Sequence, residues 1–160
     1  MAYYDEIAEG YNSLHKEEQL KKLRIIAENL NIAKDETLLD VGCGTAFSSD
    51  FFKCRFTGID PSKSLLAKCT DKNAVLIEAS AENIPFPDNS FDIIISVTSI
   101  HNFKDIKKGL LEMRRAGKNK FAFSVLKKTS HFNEIKSEIK AIYTIQKEID
   151  EGMDVIFICK

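Results

Sequence analysis

Residues 37–48 read Thr-Leu-Leu-Asp-Val-Gly-Cys-Gly-Thr-Ala-Phe-Ser, and the reading of this stretch decides the fold. The first five residues are too few for a helix and apolar enough for a buried strand. They run straight into a bend of small residues. Gly42 and Gly44 let the backbone turn sharply and leave open the space that a Cβ would fill. A helix is expected to follow, with free N–H groups at its start facing the bend. Strand, small-residue loop and helix in that order predict a ligand-binding loop.

Working outward, further short apolar runs lie at 55–60, 74–79, 91–97 and 120–126, rich in Ile, Val and Phe. Helical spacing lies before and between them: Leu20, Leu23, Ile26, Ala27 and Leu30 within 16–30; Leu65, Leu66 and Cys69; Ile106, Leu110 and Met113; Phe132, Ile135, Ile139 and Ile142. Parallel neighbours need crossover connections, so this alternation predicts an α/β fold, doubly wound and Rossmann-like, with a mostly parallel sheet. The end differs. Residues 143–150 alternate apolar and polar, Glu151-Gly152 signals a turn, and 153–159 is strand-like again, which predicts a C-terminal antiparallel hairpin.

The chain has 160 residues and no repeat or linker, so one domain over 1–160 is expected, with 1–30 as an N-terminal helical cap. A formal net charge of −1 argues against a wholly basic nucleic-acid binder. No apolar run approaches the roughly 20 residues of a membrane span. The opening Met-Ala-Tyr-Tyr-Asp-Glu lacks the charged and apolar regions of a signal peptide, and a cytoplasmic location is expected. Cys43, Cys54, Cys69 and Cys159 show neither a CxxC pair nor a His at ligand spacing, which predicts reduced thiols and no metal.

The ligand is narrowed by what surrounds the bend. A dinucleotide fingerprint beginning at Gly42 needs glycine at position 47, where the chain has Phe47, so a nicotinamide cofactor is disfavoured. Asp40 precedes Gly42 by two residues, and Asp60 closes the next strand in Phe56-Thr-Gly-Ile-Asp60. A carboxylate at the end of the second strand can accept both hydroxyl hydrogen bonds of a ribose, so the expected ligand contains an adenosine.

Three stretches carry a resemblance: Leu39-Asp-Val-Gly-Cys-Gly-Thr-Ala46, Gly58-Ile-Asp-Pro-Ser62 and Ala79-Ser-Ala-Glu-Asn-Ile-Pro-Phe-Pro-Asp-Asn-Ser-Phe-Asp92. In this order and spacing the chain resembles the class I S-adenosylmethionine-dependent methyltransferases, particularly the group acting on small molecules and including quinone-biosynthesis enzymes. The resemblance implies a seven-stranded sheet with one antiparallel strand. It implies that Gly42, Cys43, Gly44 and Thr45 line the methionine and ribose parts of S-adenosylmethionine. Asp40 would orient the loop or the methionine amino group, and Asp60-Pro61 would bind the ribose. Ser80, Ala81 and Glu82 would edge the adenine, with Ser96 and Val97 beside the sulfonium. Ala46 stands where the family has a third glycine, and a positive φ there would make its methyl group matter. The opening Tyr3-Tyr-Asp-Glu-Ile-Ala-Glu-Gly-Tyr11 resembles the family's aromatic lid, with Tyr4 and Tyr11 as lid residues or as packing for a helix end.

Ser96-Val-Thr-Ser-Ile-His-Asn-Phe103 follows the fourth strand and is expected to face the acceptor. His101 is the candidate general base there, or else a cap for the next helix. Thr98, Ser99 and Asn102 are candidate acceptor ligands or ordinary turn residues. The segment lacks the Asn-Pro-Pro-Tyr that the family's exocyclic-amine and glutamine-amide methylators carry, which disfavours those substrates, and the resemblance to the small-molecule group implies a small-molecule acceptor. Two alternatives stay open. Lys104, Lys107, Lys108, Arg114, Arg115, Lys118, Lys120, Lys127 and Lys128 face only Asp105 and Glu112 within 104–128, an excess of seven positive charges that could hold RNA or be a solvated face. The chain could also be a catalytically silent methyltransferase-like subunit that works with a partner chain.

Overall fold

The computed structural model describes residues 2–160, and side chains from residue 14 onward. The chain opens with helix α1, Ala2–Leu30, which extends the expected 16–30 helix back through the tyrosine-containing segment. Tyr4 and Tyr11 lie outside the described side chains. Strand β1 is Thr37–Val41, β2 Arg55–Asp60, β3 Val75–Glu78 and β4 Phe91–Val97. The short helix α2 spans Lys63–Leu66, and α3 spans Ile106–Ala116. Strand β5 is Gly117–Leu126, α4 Phe132–Ile142, β6 Ile145–Asp150 and β7 Asp154–Cys159.

The seven strands form one sheet in the order β3-β2-β1-β4-β5-β7-β6. β1 to β5 pair in parallel, and β7 runs antiparallel to both β5 and β6, so β7 is the single reversed strand. The expected C-terminal hairpin is thus inserted into the sheet, with β7 inside and β6 at the edge.

The central strands are apolar on both faces. Leu38, Ile93 and Ile95 pack with Leu23, Ile26 and Leu30 of α1 on one side. Leu39, Val41 and Ile94 pack with Leu110 and Met113 of α3 and Ile135 and Ile139 of α4 on the other. Period-two alternation delivers successive residues to opposite layers, which is why these strands read as continuous hydrophobic runs.

The sequence expectation fails after the glycine loop. Instead of a helix, Phe47–Asp50 makes one turn of 3-10 helix, and Phe52 is buried shortly afterwards. Only thirteen residues separate Val41 from Arg55, and the loop uses the first of them, which leaves no length for a crossover helix. β5 also starts earlier than expected, at Gly117, because α3 ends directly into it.

Candidate functional site

The loop after β1 emerges at the carboxyl end of the parallel strands, where open α/β sheets bind their ligands. Gly42 has φ +75° and Gly44 φ +59°. A Cβ built on Gly42 would stand 2.1 Å from Ser99 Oγ, whereas one on Gly44 would meet nothing within 4 Å. Gly42 therefore lets the end of β4 close onto the loop, and Gly44 leaves the loop open to the cleft above. Ser99 Oγ donates to the Gly42 carbonyl at 3.3 Å and seals that contact.

Two carboxylates fix the loop from either side. Asp60, at the end of β2, accepts from the Gly44 N–H at 2.9 Å through Oδ2 and from the Ser62 N–H at 2.8 Å through Oδ1. Asp40, at 3% exposure, accepts from Ser48 Oγ at 2.5 Å. Burial pushes the Asp40 carboxyl up to about 7, against the lowering effect of the Ser48 hydrogen bond, and the charge of Asp60 adds to the rise. Cys43 beside them is held protonated by burial and by the same two acids, so it is not a poised nucleophile.

Above the loop lies a cleft of about 600 Å³. Of the residues singled out from sequence, it brings together Asp40, Gly42, Cys43, Gly44, Thr45, Val97, Thr98 and Ser99. Asp60 stands behind the loop, joined to it through Gly44. The others are elsewhere. The Ala46 φ is indeed positive, at +56°, but its methyl is buried in the α1-side core and does not enter the cleft. Ser96 Oγ donates to the Val41 carbonyl at 2.8 Å and ties β4 to β1. Ala81 is buried against the α3-side core, and Glu82 accepts from the Asp105 N–H at 2.9 Å. Ser80, Pro61 and Asn102 are outside the cleft lining. His101 sits in the 3-10 turn Ile100–Asn102, one step beyond the cleft wall, with Nδ1 buried and without a hydrogen-bond partner among the described residues. Burial holds its pKa below the ordinary imidazole value, opposed by the charge of Asp154.

The remaining wall was not foreseen. His15, Lys16, Gln19 and Leu23 of α1 close the cleft opposite the glycine loop, with Phe47 and Leu65 at its sides. Lys16 Nζ lies 5.3 Å from the centre of the Phe47 ring. These α1 positions recur at one helical turn, but their polar composition reads as a solvent face until the sheet is in place.

A sheet in this order with a glycine loop after β1 defines a Rossmann-like fold of the methyltransferase type. Residues 39–123 match the family model described as a methyltransferase domain, and the chain belongs to that family. It is similar to the demethylmenaquinone methyltransferase of Thermotoga maritima, with 31% identity over 79% of this chain and 60% of the relative. It is also similar to the uncharacterized protein MJ1252 of Methanocaldococcus jannaschii, with 32% identity over 88% of this chain and 55% of the relative. The chain thus spans little more than half of these relatives' length. Its fold matches the crystal structure of a SAM-dependent methyltransferase from Aquifex aeolicus, with a TM-score of 0.69, 20% identity, and coverage of 90% of this chain and 88% of that one. No helix among the described residues is long and apolar enough to cross a membrane, and no group of His, Cys, Asp and Glu among them could hold a metal ion.

Proposed function

We propose that the domain binds S-adenosylmethionine over the Gly42–Gly44 loop and transfers its methyl group to a small molecule held beside Val97–Ser99. The observation that carries this reading is the open face of Gly44, flanked by a buried acid on the loop side and a cation on the helix side of one cleft. The residues fit the cofactor's parts. Asp40 suits its ammonium group, and Lys16, which makes no ion pair among the described residues, suits its carboxylate. Asp60 has lone pairs left for ribose hydroxyls after serving Gly44 and Ser62.

The cofactor would supply a methyl group on a sulfonium, whose leaving group needs no proton. The chain's own work is then largely positioning: holding nucleophile and methyl in line contributes much of the rate. His101, neutral at pH 7 and therefore able to accept a proton, is the candidate base for an acceptor that needs one. The demethylmenaquinone named for the Thermotoga relative supports a small-molecule acceptor.

The test is thermal unfolding with S-adenosylhomocysteine. A ligand at a hundred times its Kd adds about 2.7 kcal/mol of stability. The wild type should gain a clear upward shift, and Asp60→Ala should lose most of it. No shift at millimolar ligand would sink the reading.

A further inference from the structure

Thr98 is the most strained residue of the cleft wall. It follows β4 with φ +52°, a region that β-branched side chains rarely enter and that persists only when the surroundings enforce it. The enforcement is visible. Its N–H donates to Ser124 O at 3.0 Å and to Ser124 Oγ at 2.9 Å, and its Oγ1 donates to Asp154 Oδ2 at 2.6 Å. Lys22 Nζ donates to the same Oγ1 at 3.1 Å and lies 3.2 Å from Asp154 Oδ1. The Lys22 and Asp154 side chains are 3% and 0% exposed. Asp154 is itself held, its N–H donating to Glu151 Oε1 at 2.6 Å across the hairpin turn, and Lys21 Nζ donates to the Glu151 carbonyl at 2.7 Å.

The cluster joins three distant parts of the chain: helix α1, the end of β4, and the β6–β7 turn. A buried ion pair is often no more stabilising than apolar side chains of the same volume, so stability alone is a weak reason for one here. What it does fix is the path of the backbone through Thr98 into Ser99. Ser99 is the residue whose hydroxyl rests on Gly42, in the space a Cβ would fill. A change in the Thr98 φ would move Ser99 and release the glycine loop.

We infer that Lys22 and Asp154 are positioning residues for the ligand cleft, acting through Thr98 and Ser99 on the Gly42–Gly44 loop. The Thr98 hydroxyl is committed to this task and is not free for an acceptor. In its effect on cofactor affinity the inference rests on the function proposed above, whereas the coupling of the hairpin turn to the glycine loop stands without it.

The test uses the full chain with Asp154→Asn, Thr98→Val and Thr98→Ser, and with Lys22→Met/Asp154→Leu, which replaces the ion pair by apolar groups and leaves no uncompensated buried charge. Amide spectra are recorded without ligand, at a temperature where circular dichroism shows each protein folded. Asp154→Asn and the double variant should shift the Gly42, Gly44 and Ser99 resonances. Their S-adenosylhomocysteine Kd should rise at least tenfold, also in the double variant with restored stability, and Thr98→Ser should recover most of what Thr98→Val loses. Unmoved glycine-loop resonances overturn the inference, as does a Kd within twofold of wild type in the folded variants. If the wild type binds no S-adenosylhomocysteine, the cofactor reading fails and the resonances alone decide the coupling.

Discussion

Asp40 is where the site's chemistry depends most sharply on one side chain. Burial lifts its carboxyl from 3.8 to about 7. Between those two values the folded state holds a proton that the unfolded chain has released, so Asp40 makes stability fall as pH rises from about 4 to about 7, and the loss persists above. Asp40→Asn removes that loss: in denaturant titrations the variant should gain on the wild type between pH 5 and pH 8. Binding has the opposite sign. An ammonium group favours the carboxylate, which is about one tenth populated at pH 6 and nine tenths at pH 8, so S-adenosylhomocysteine affinity should rise about tenfold across that range. Calorimetry at the two pH values checks this. A flat profile in wild type would remove Asp40 from the ammonium subsite, and Asp40→Asn should be flat and weaker. His15 lines the same cleft, so His15→Gln is the control that must keep the slope. Asp40 and Asp60 were legible in the sequence because the strand pattern puts them at strand ends. The depth of Asp40 was not, since it depends on Ser48 folding back over it in a turn where a helix was expected. Ala46 tells a similar story: a positive φ costs about 1 kcal/mol, and a buried methyl returns about 0.8. Ala46→Gly should therefore change stability by under about 1 kcal/mol and leave ligand affinity alone.

Helix α3 settles how the basic stretch 104–128 is used. Arg115 donates to Glu112 and Asp88 and to the carbonyls of Phe86 and Ile84, with distances of 2.8 to 3.0 Å. Glu112 in turn accepts from the Ile84 N–H at 2.9 Å. One arginine thereby pins the loop before β4 to the helix, and its hydrogen bonds hold Glu112 below the usual carboxylate range. Lys118, Lys120 and Lys127 pair with Asp92, Glu36 and Asp150. Four of the nine cations are thus committed within the fold, and Arg114 lies over the Phe121 ring. Linear charge counting could not see this, because the partners of Lys118 and Lys120 come from before residue 104 and that of Lys127 from after 128. Arg115→Ala strands two carbonyls and should cost about 1–3 kcal/mol in denaturant titration. Lys107→Glu, Lys108→Glu and Arg114→Glu, with exposed side chains, should cost little. An RNA interface would have to rest on them and on Lys104 and Lys128. Retention on immobilised RNA that falls steeply with salt and with these three reversals would support it, and their indifference would remove it.

At the scale of the molecule, the order of the strands and of helices α1, α3 and α4 was legible, because each central strand is apolar on both faces and α3 and α4 carry a clear apolar stripe, whereas the helix expected between β1 and β2 is only the 3-10 turn Phe47–Asp50. What the sequence did not reveal is how the ends meet. The hairpin enters the sheet with β7 against β5, which brings Asp154 under the end of β4, and α1 lays Leu23, Ile26 and Leu30 on the same face of the sheet. No local pattern links Lys22 to a carboxylate 132 positions later; only the closed sheet does. This arrangement predicts a graded response to shortening α1. Removing residues 1–12 leaves in place the core contacts of Leu23, Ile26 and Leu30, so the unfolding transition should stay cooperative. If the opening tyrosines cover the ligand, S-adenosylhomocysteine affinity should fall in this truncation while the fold persists. Ile26→Ala, within the full chain, opens a cavity at a residue with no exposure and should cost about 2–5 kcal/mol. Removing residues 1–30 uncovers Leu38, Ile93 and Ile95 and leaves Asp154 buried without its cation, a penalty added to the lost packing. That truncation should show no cooperative thermal transition by circular dichroism. A sharp transition in it would mean that α1 is an accessory to the cleft, and not the second layer without which the sheet has one bare face.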